Sequence, residues 1–187
     1  MIALNKSPKL GIVFDRDGTL INFENYLSDY KKVKIFSDAH YVLNYLNNKG
    51  AYLFMHTNQS SVSRGIASIE DVHRCNDELI KQIKLGPNIF KEICISTELP
   101  TEKIEYRKPS PKFGNYILNK YNLTRNNLYY IGDNICDLET AFNLGCNGIG
   151  IETGSENFMN IAKNKKLSSF PICSSLKEVL FLIDKQI

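Results

Sequence analysis

Short unbroken apolar runs alternate along this chain with longer segments in which apolar residues return every third or fourth position. Residues 10–14 (LGIVF), 51–55 (AYLFM), 89–95, 128–131 (LYYI) and 148–151 are of the first kind. Their length and polar flanks predict buried β-strands. Residues 39–48 carry Val42, Leu43 and Leu46 at helical spacing and stop at Gly50. Residues 69–84 set Val72, Leu79, Ile80 and Ile83 on one side before Gly86 and Pro87 end the pattern. Segments 111–120 and 137–144 read as shorter helices, the second closed by Gly145, and 176–187 as an amphipathic tail helix. Strands separated by helices predict an α/β fold, a Rossmannoid three-layer sandwich with a mainly parallel sheet. No repeat or low-complexity tract interrupts it, so 1–187 reads as a single domain.

In such a sheet a ligand binds beyond the carboxyl ends of the strands. The polar residues directly after the strands are therefore expected to converge. They are Asp15, Arg16 and Asp17 after the first strand, and Thr57, Asn58 and Gln59 after the second. Arg107 and Lys108 follow the third after a loop, and Gly132, Asp133 and Asn134 follow the fourth. Carboxylates, a hydroxyl, amides and two cations are what metal-assisted phosphate chemistry requires. A phosphate ester repels an incoming nucleophile, so a site must neutralise its charge and hold the attacking oxygen in line. Mg2+ prefers hard oxygen ligands, and Asp15 and Asp133, on neighbouring strands, are placed to hold it from two sides. Asp17 can protonate a leaving oxygen and later deprotonate water. Thr57 and Asn58 can donate to phosphoryl oxygens, and Lys108 can act as a point charge on the transferring group and on Asp15. Gly18 permits a tight turn close to the phosphate.

Composition sharpens this in few places. A chain of 187 residues, 43% hydrophobic and 23% charged, is an ordinary soluble domain by its balance. Net charge is +3, with Lys and Arg spread along the length rather than in a stripe, so nucleic acid is not expected as a partner. The five cysteines are odd in number and form no C-x-x-C, which argues against a disulfide framework or zinc ribbon and for a reducing cytoplasmic setting. Residues 1–9 lack the apolar stretch of a signal peptide, and no run approaches the roughly 18 apolar residues of a membrane span. A monomer or small homo-oligomer acting on a small phosphorylated substrate is the expectation.

The segment FDRDGTLI, residues 14–21, resembles the D-x-D-G-T motif of the HAD (haloacid dehalogenase-like) superfamily. Thr57 resembles its second motif, Lys108 its third, and GDNICD, residues 132–137, its fourth. All four stand in order at the ends of predicted strands, between residue 10 and about residue 154. The resemblance implies a magnesium-dependent phosphatase with Asp15 as covalent nucleophile and Asp17 as acid, then base. It implies metal ligation by Asp15, Asp133 and the Asp17 backbone carbonyl. A finer likeness, carried by Asp15-Arg16-Asp17-Gly18, Thr57-Asn58-Gln59-Ser60, Arg64-Gly65 and Arg107-Lys108-Pro109, is to the branch of heptose-bisphosphate and histidinol phosphatases. It implies substrate contacts from Arg64 and Arg107, with Asn58 helping to hold the phosphate. Arg16, Gln59 and Asn134 adjoin these positions and join the candidate contacts.

The chain departs from that branch in two places. A zinc loop with Cys-x-His and Cys-x-Cys usually precedes R-K-P, but here the segment reads CISTELPTEKIEYRKP. Cys94 is one ligand where tetrahedral zinc needs four, so no zinc is expected and packing must order the loop. Asn134 stands where the heptose enzymes often carry Lys. The gaps between motifs leave no room for a cap domain, which predicts an open, capless site bounded by the loops 22–34, 60–68 and 96–106. Some residues have plainer readings. Thr57 and Asn58 suit a helix N-cap, Asp137 suits a turn or helix cap better than metal ligation, Arg64 suits the surface, and His56 suits a satisfied core histidine. The cysteines suit packing. Resemblance ranks heptose 1,7-bisphosphate, losing its 7-phosphate, ahead of histidinol phosphate and a nucleic-acid 3′-phosphate end. A non-catalytic phospho-ligand binder would need neither a nucleophile nor an acid.

Overall fold

The computed structural model describes residues 9–154 and 166–185. Its elements in chain order are β1 (Gly11–Phe14), α1 (Ala39–Asn48), β2 (Tyr52–Asn58), α2 (Ile69–Ile83), β3 (Phe90–Ser96), α3 (Lys112–Tyr121), β4 (Leu128–Gly132), α4 (Ile135–Leu144), β5 (Asn147–Ile151), β6 (Ile172–Cys173) and α5 (Leu176–Asp184). The strands lie in the order β3-β2-β1-β4-β5-β6, and every pairing is parallel. β1 is central, with Phe14 level with Met55 of β2 and Ile131 of β4. The Asp15 amide extends that ladder by donating to the Ile131 carbonyl at 2.8 Å. The ends that carry the polar residues are thereby brought side by side.

Alternation along each strand divides the core into two layers. Ile12 and Phe14 point to one face with Leu53, Met55 and Ile131, where α1, α2 and α5 cover them. Val13 points to the other with Phe54 and Tyr130, under Phe113 and Ile117 of α3 and Ala141 and Leu144 of α4. Both faces of the sheet are thus dry, as all-parallel sheets require.

Local chemistry fixes where the helices begin. Ser68 and Asp71 form a reciprocal capping box on α2, and Asn134 and Asp137 do the same for α4. Each such cap is worth about 1 kcal/mol. The Asn134 cap starts α4 at Ile135, two residues before the helix predicted from apolar spacing. β2 runs past Met55 through His56, Thr57 and Asn58. The N-cap alternative for Thr57 and Asn58 therefore falls, because both end a strand. The two-residue β6 was not predicted, being too short to carry a periodic signal.

Between β1 and β2 lie α1 and a single 3-10 turn at Tyr30–Lys32, so the sheet is uncapped among the described residues. No helix among them is long and apolar enough to cross a membrane. The reading of residues 1–8 as free of a leader, and the last two residues of the tail helix, lie outside the described residues.

Candidate active site

Beyond the carboxyl ends of β1, β2 and β4 opens a pocket whose walls include Asp15, Asp17, Thr57, Lys108 and Asp133. At its floor Lys108 Nζ lies 2.7 Å from Asp15 Oδ1 and 2.5 Å from Asp137 Oδ1. Burial alone would drive the ammonium toward neutrality, but Asp137 and Asp15 outweigh it and hold the Lys108 pKa well above its ordinary value. Burial also pushes Asp133 up to about 9, helped by the charges of Asp15 and Asp137. Asp137 is pushed up to about 7 by burial, against the pull of Lys108.

Carboxylate oxygens of Asp15, Asp133 and Asp137 lie within 4.8 Å of one another, which is the one such cluster among the described residues. With all three carboxylates ionised, the one ammonium would leave two negative charges unbalanced in a buried space, and without a cation burial drives Asp133 toward its neutral form instead. A divalent cation with a taste for oxygen answers that imbalance, so the residues present fit magnesium. Asp137 is the poorest ligand of the three. Its Oδ2 accepts from the Asn134 amide at 3.1 Å as the helix cap, while Oδ1 takes Lys108. Asp15 and Asp133 remain as the pair facing the pocket.

Two glycines make the approach possible. Gly18 has φ +76, and a Cβ there would overlap the Asp133 carboxylate. A Cβ on Gly132 would overlap Asp137 in the same way. The Thr19 hydroxyl donates to Asp133 Oδ1 at 3.4 Å from the buried side.

Asp17 is set apart from the carboxylate cluster. Its Oδ2 lies 2.9 Å from Arg16 Nη2 and accepts from Gln59 Nε2 at 2.8 Å. Gln59 Nε2 also donates to Thr57 Oγ1 at 2.8 Å, tying the ends of β1 and β2 together. The Asn58 side chain pairs with the Lys108 backbone: Oδ1 accepts from its amide at 3.0 Å and Nδ2 donates to its carbonyl at 3.2 Å. Asn58 lines the pocket, and this clamp aims the ammonium at Asp15.

Not every residue singled out from the sequence reaches the pocket. Arg16 is fully buried, with Nη1 donating to Asn76 Oδ1 at 2.9 Å and its other nitrogens on Asp17. Arg16, a candidate substrate contact, is not among the residues that line the pocket, and its guanidinium orients Asp17 from behind. Arg64 is exposed and lies off the pocket wall, because the loop after β2 turns it outward. Asn134 and Arg107 do line the pocket, and Asn134 Oδ1 also accepts from the Cys136 amide at 3.3 Å. His56 is a satisfied core histidine. Its Nε2 pairs with the Tyr106 carbonyl at 2.8 Å, and burial, then Lys108, lower its pKa to about 3.

Asn76 escaped the sequence reading, although a polar residue on the buried stripe of α2 was a signal available in the pattern. Phe23 and Tyr26, 57% and 41% exposed, stand on the pocket rim. Nothing in the spacing of the 22–34 loop marked them.

The parallel fold and the carboxylate–lysine floor define a magnesium-dependent phosphomonoester hydrolase. The HAD-hydrolase-like family matches residues 105–179. The chain resembles the HAD-superfamily phosphatases of the heptose-bisphosphate phosphatase and HisB branch, without that branch's zinc ligands. It is 28% identical over 145 residues to the D-glycero-beta-D-manno-heptose-1,7-bisphosphate 7-phosphatase of Rhodopseudomonas palustris, covering 74% of this chain and 81% of the relative. The histidine biosynthesis bifunctional protein HisB of Baumannia cicadellinicola is 27% identical over 155 residues, 80% of this chain and 43% of that protein. The fold matches a D,D-heptose 1,7-bisphosphate phosphatase from B. bronchiseptica, solved with magnesium and phosphate, at TM-score 0.85 and 19% identity over 95% of this chain and 99% of that one.

Proposed function

We propose that this protein removes the 7-phosphate of D-glycero-D-manno-heptose 1,7-bisphosphate through an aspartyl-phosphate on Asp15, as a single-domain cytoplasmic enzyme, monomeric or a small homo-oligomer. The observation that carries the chemistry is the Asp15 carboxylate held at the pocket floor by Lys108 at 2.7 Å. The substrate rests on the relatives of that activity.

An Asp15 oxygen attacks phosphorus as the bond to the sugar oxygen breaks. Asp17 gives the departing oxygen its proton. The same carboxylate then takes a proton from water as that water attacks phosphorus, which frees inorganic phosphate and restores Asp15. The contacts of Asp17 with Arg16 and Gln59 hold its carboxyl group in one orientation. Lys108 balances charge on Asp15 and on the transferring group, and the Thr57 hydroxyl, Gln59 and Asn134 supply polar contacts at the wall. Asp15, Asp133 and the Asp17 carbonyl would hold magnesium, which neutralises the phosphoryl oxygens and orients them for in-line attack. Arg107 lines the same pocket and would meet a second phosphate.

Histidinol phosphate is the second reading, favoured by the likeness to HisB. The test is phosphate release, with and without Mg2+, from both heptose bisphosphate anomers, histidinol phosphate and a 3′-phosphorylated oligonucleotide. One heptose anomer is expected to dominate, with Asp15→Asn about a thousandfold or more below wild type. Unchanged turnover in Asp15→Asn would sink the enzyme reading, and weak, even turnover of all four substrates would sink the heptose assignment alone.

A further inference from the structure

The segment between β3 and α3 is ordered by a carboxylate. Glu98 Oε2 accepts from the backbone amides of Glu105 at 2.6 Å and Arg107 at 3.3 Å, and Oε1 accepts from that of Tyr106 at 2.9 Å. The Glu98 carbonyl in turn accepts from Arg107 Nη1 at 3.0 Å. One residue thus grips Arg107 by both its backbone and its guanidinium. Burial works against the Glu98 charge, but the amides of Tyr106, Glu105 and Arg107 outweigh it and hold the carboxyl below its usual range. Charge-assisted bonds of this type are about twice as strong as neutral ones, and three on one carboxylate close a loop as a bound ion would.

The grip matters because of where Arg107 stands. It lines the pocket wall beside Lys108. Lys108 is consumed by Asp15 and Asp137, and Arg16 by Asp17 behind the wall. Among the described residues Arg107 forms no ion pair, so its charge is available to an anionic group in the pocket. Its free orientational entropy has already been spent on the Glu98 carbonyl, which lowers the cost of binding.

We propose that Glu98 is a positioning residue that presents Arg107 to the second anionic group of the substrate, taking over the loop-ordering task for which this segment lacks zinc ligands. This rests on the reading that the substrate is a bisphosphate met by Arg107. The experiment compares wild type, Glu98→Gln, Glu98→Asp, Arg107→Ala and Glu98→Gln/Arg107→Ala on heptose 1,7-bisphosphate with Mg2+. Amide hydrogen exchange is followed at residues 105–107.

Glu98→Gln is expected to raise KM for the bisphosphate about tenfold with kcat within about twofold, and the double variant to match Arg107→Ala. Glu98→Asp, with the charge kept and the reach shortened, falls between. Exchange at 105–107 accelerates by about tenfold or more in Glu98→Gln. Additive losses in the double variant, or a fall in kcat with KM unmoved, would overturn the positioning role. Unaltered exchange would overturn the grip itself, whatever the substrate. A bisphosphate KM unmoved by Arg107→Ala would instead remove the bisphosphate reading, with the exchange data still judging the grip.

Discussion

At the pocket floor, Asp15, Lys108, Asp133 and Asp137 are between 1% and 9% exposed, and burial together with the neighbouring charges shifts the titration of Lys108, Asp133 and Asp137. At the rim, Phe23 and Tyr26 are 57% and 41% exposed, and Arg107 is half-buried on a loop. The floor is built on strand ends fixed by the parallel ladder, and the rim on connections between elements. Charges at the floor act through a low-dielectric interior where each is worth several times its value in water. Those at the rim are hydrated and screened within about 8 Å at physiological salt. The floor can therefore perform phosphoryl transfer whatever the rim holds. The rim can change substrate without disturbing the reaction, and loss of the zinc ligands is a change of that kind.

The hardest test of this division is Lys108→Met. It leaves Asp15 and Asp137 buried without their cation, which typically costs about 3 kcal/mol or more of folding stability. It also removes charge from the transferring phosphoryl group, so kcat/KM is expected to fall about a thousandfold. Chemical denaturation and steady-state kinetics read the two separately. Adding Asp137→Asn is expected to restore much of the stability and little of the activity. Recovery of activity with stability would show that Lys108 serves folding alone and would dissolve the distinction.

What could be read from the sequence follows the same line. The Asp15, Asp133 and Lys108 positions were legible because each closes an apolar strand or follows one in a motif of fixed spacing. β2 was read short because His56, Thr57 and Asn58 are polar. The strand tolerates them because His56 is held neutral against the Tyr106 carbonyl and Asn58 pairs with the Lys108 backbone. Arg16, a candidate substrate contact from its place after the first strand, turns inward because Asn76, sixty residues on, offers a buried acceptor. The grip of Glu98 was invisible. A carboxylate binding backbone amides within its own loop has no periodicity, and its partners carry no side-chain signature.

A second test concerns the metal. In the metal-free fold, burial and then Asp15 and Asp137 push Asp133 up to about 9, whereas in the unfolded chain it titrates near 4. A raised carboxyl pKa means the fold prefers the protonated form. Its contribution is full below about pH 4 and is lost as pH rises toward about 9. Magnesium must displace that proton, so Mg2+ affinity is expected to climb with pH by up to about tenfold per unit below that value. The rise in unfolding temperature on adding Mg2+ should accordingly be larger at about pH 8 than at about pH 6. A shift that is equal at both would mean that the metal is not held by Asp133.

The smallest effect is expected at Arg64. Both Arg64 and Arg107 were sequence candidates for substrate contact, yet Arg107 lines the pocket while Arg64 stands exposed on the loop after β2, off its wall. An exposed cation that meets no small ligand contributes through screened, long-range charge alone. Arg64→Ala should therefore leave kcat/KM for a heptose bisphosphate within about twofold, far less than Arg107→Ala. A long anionic substrate would change this outcome, because a polymer with a 3′-phosphate in the pocket would run out over the rim and reach the surface. Loss of activity in Arg64→Ala, together with a steep fall of wild-type activity as salt increases, would be the mark of such a substrate. It would move the specificity of this protein from the pocket wall to the face around it.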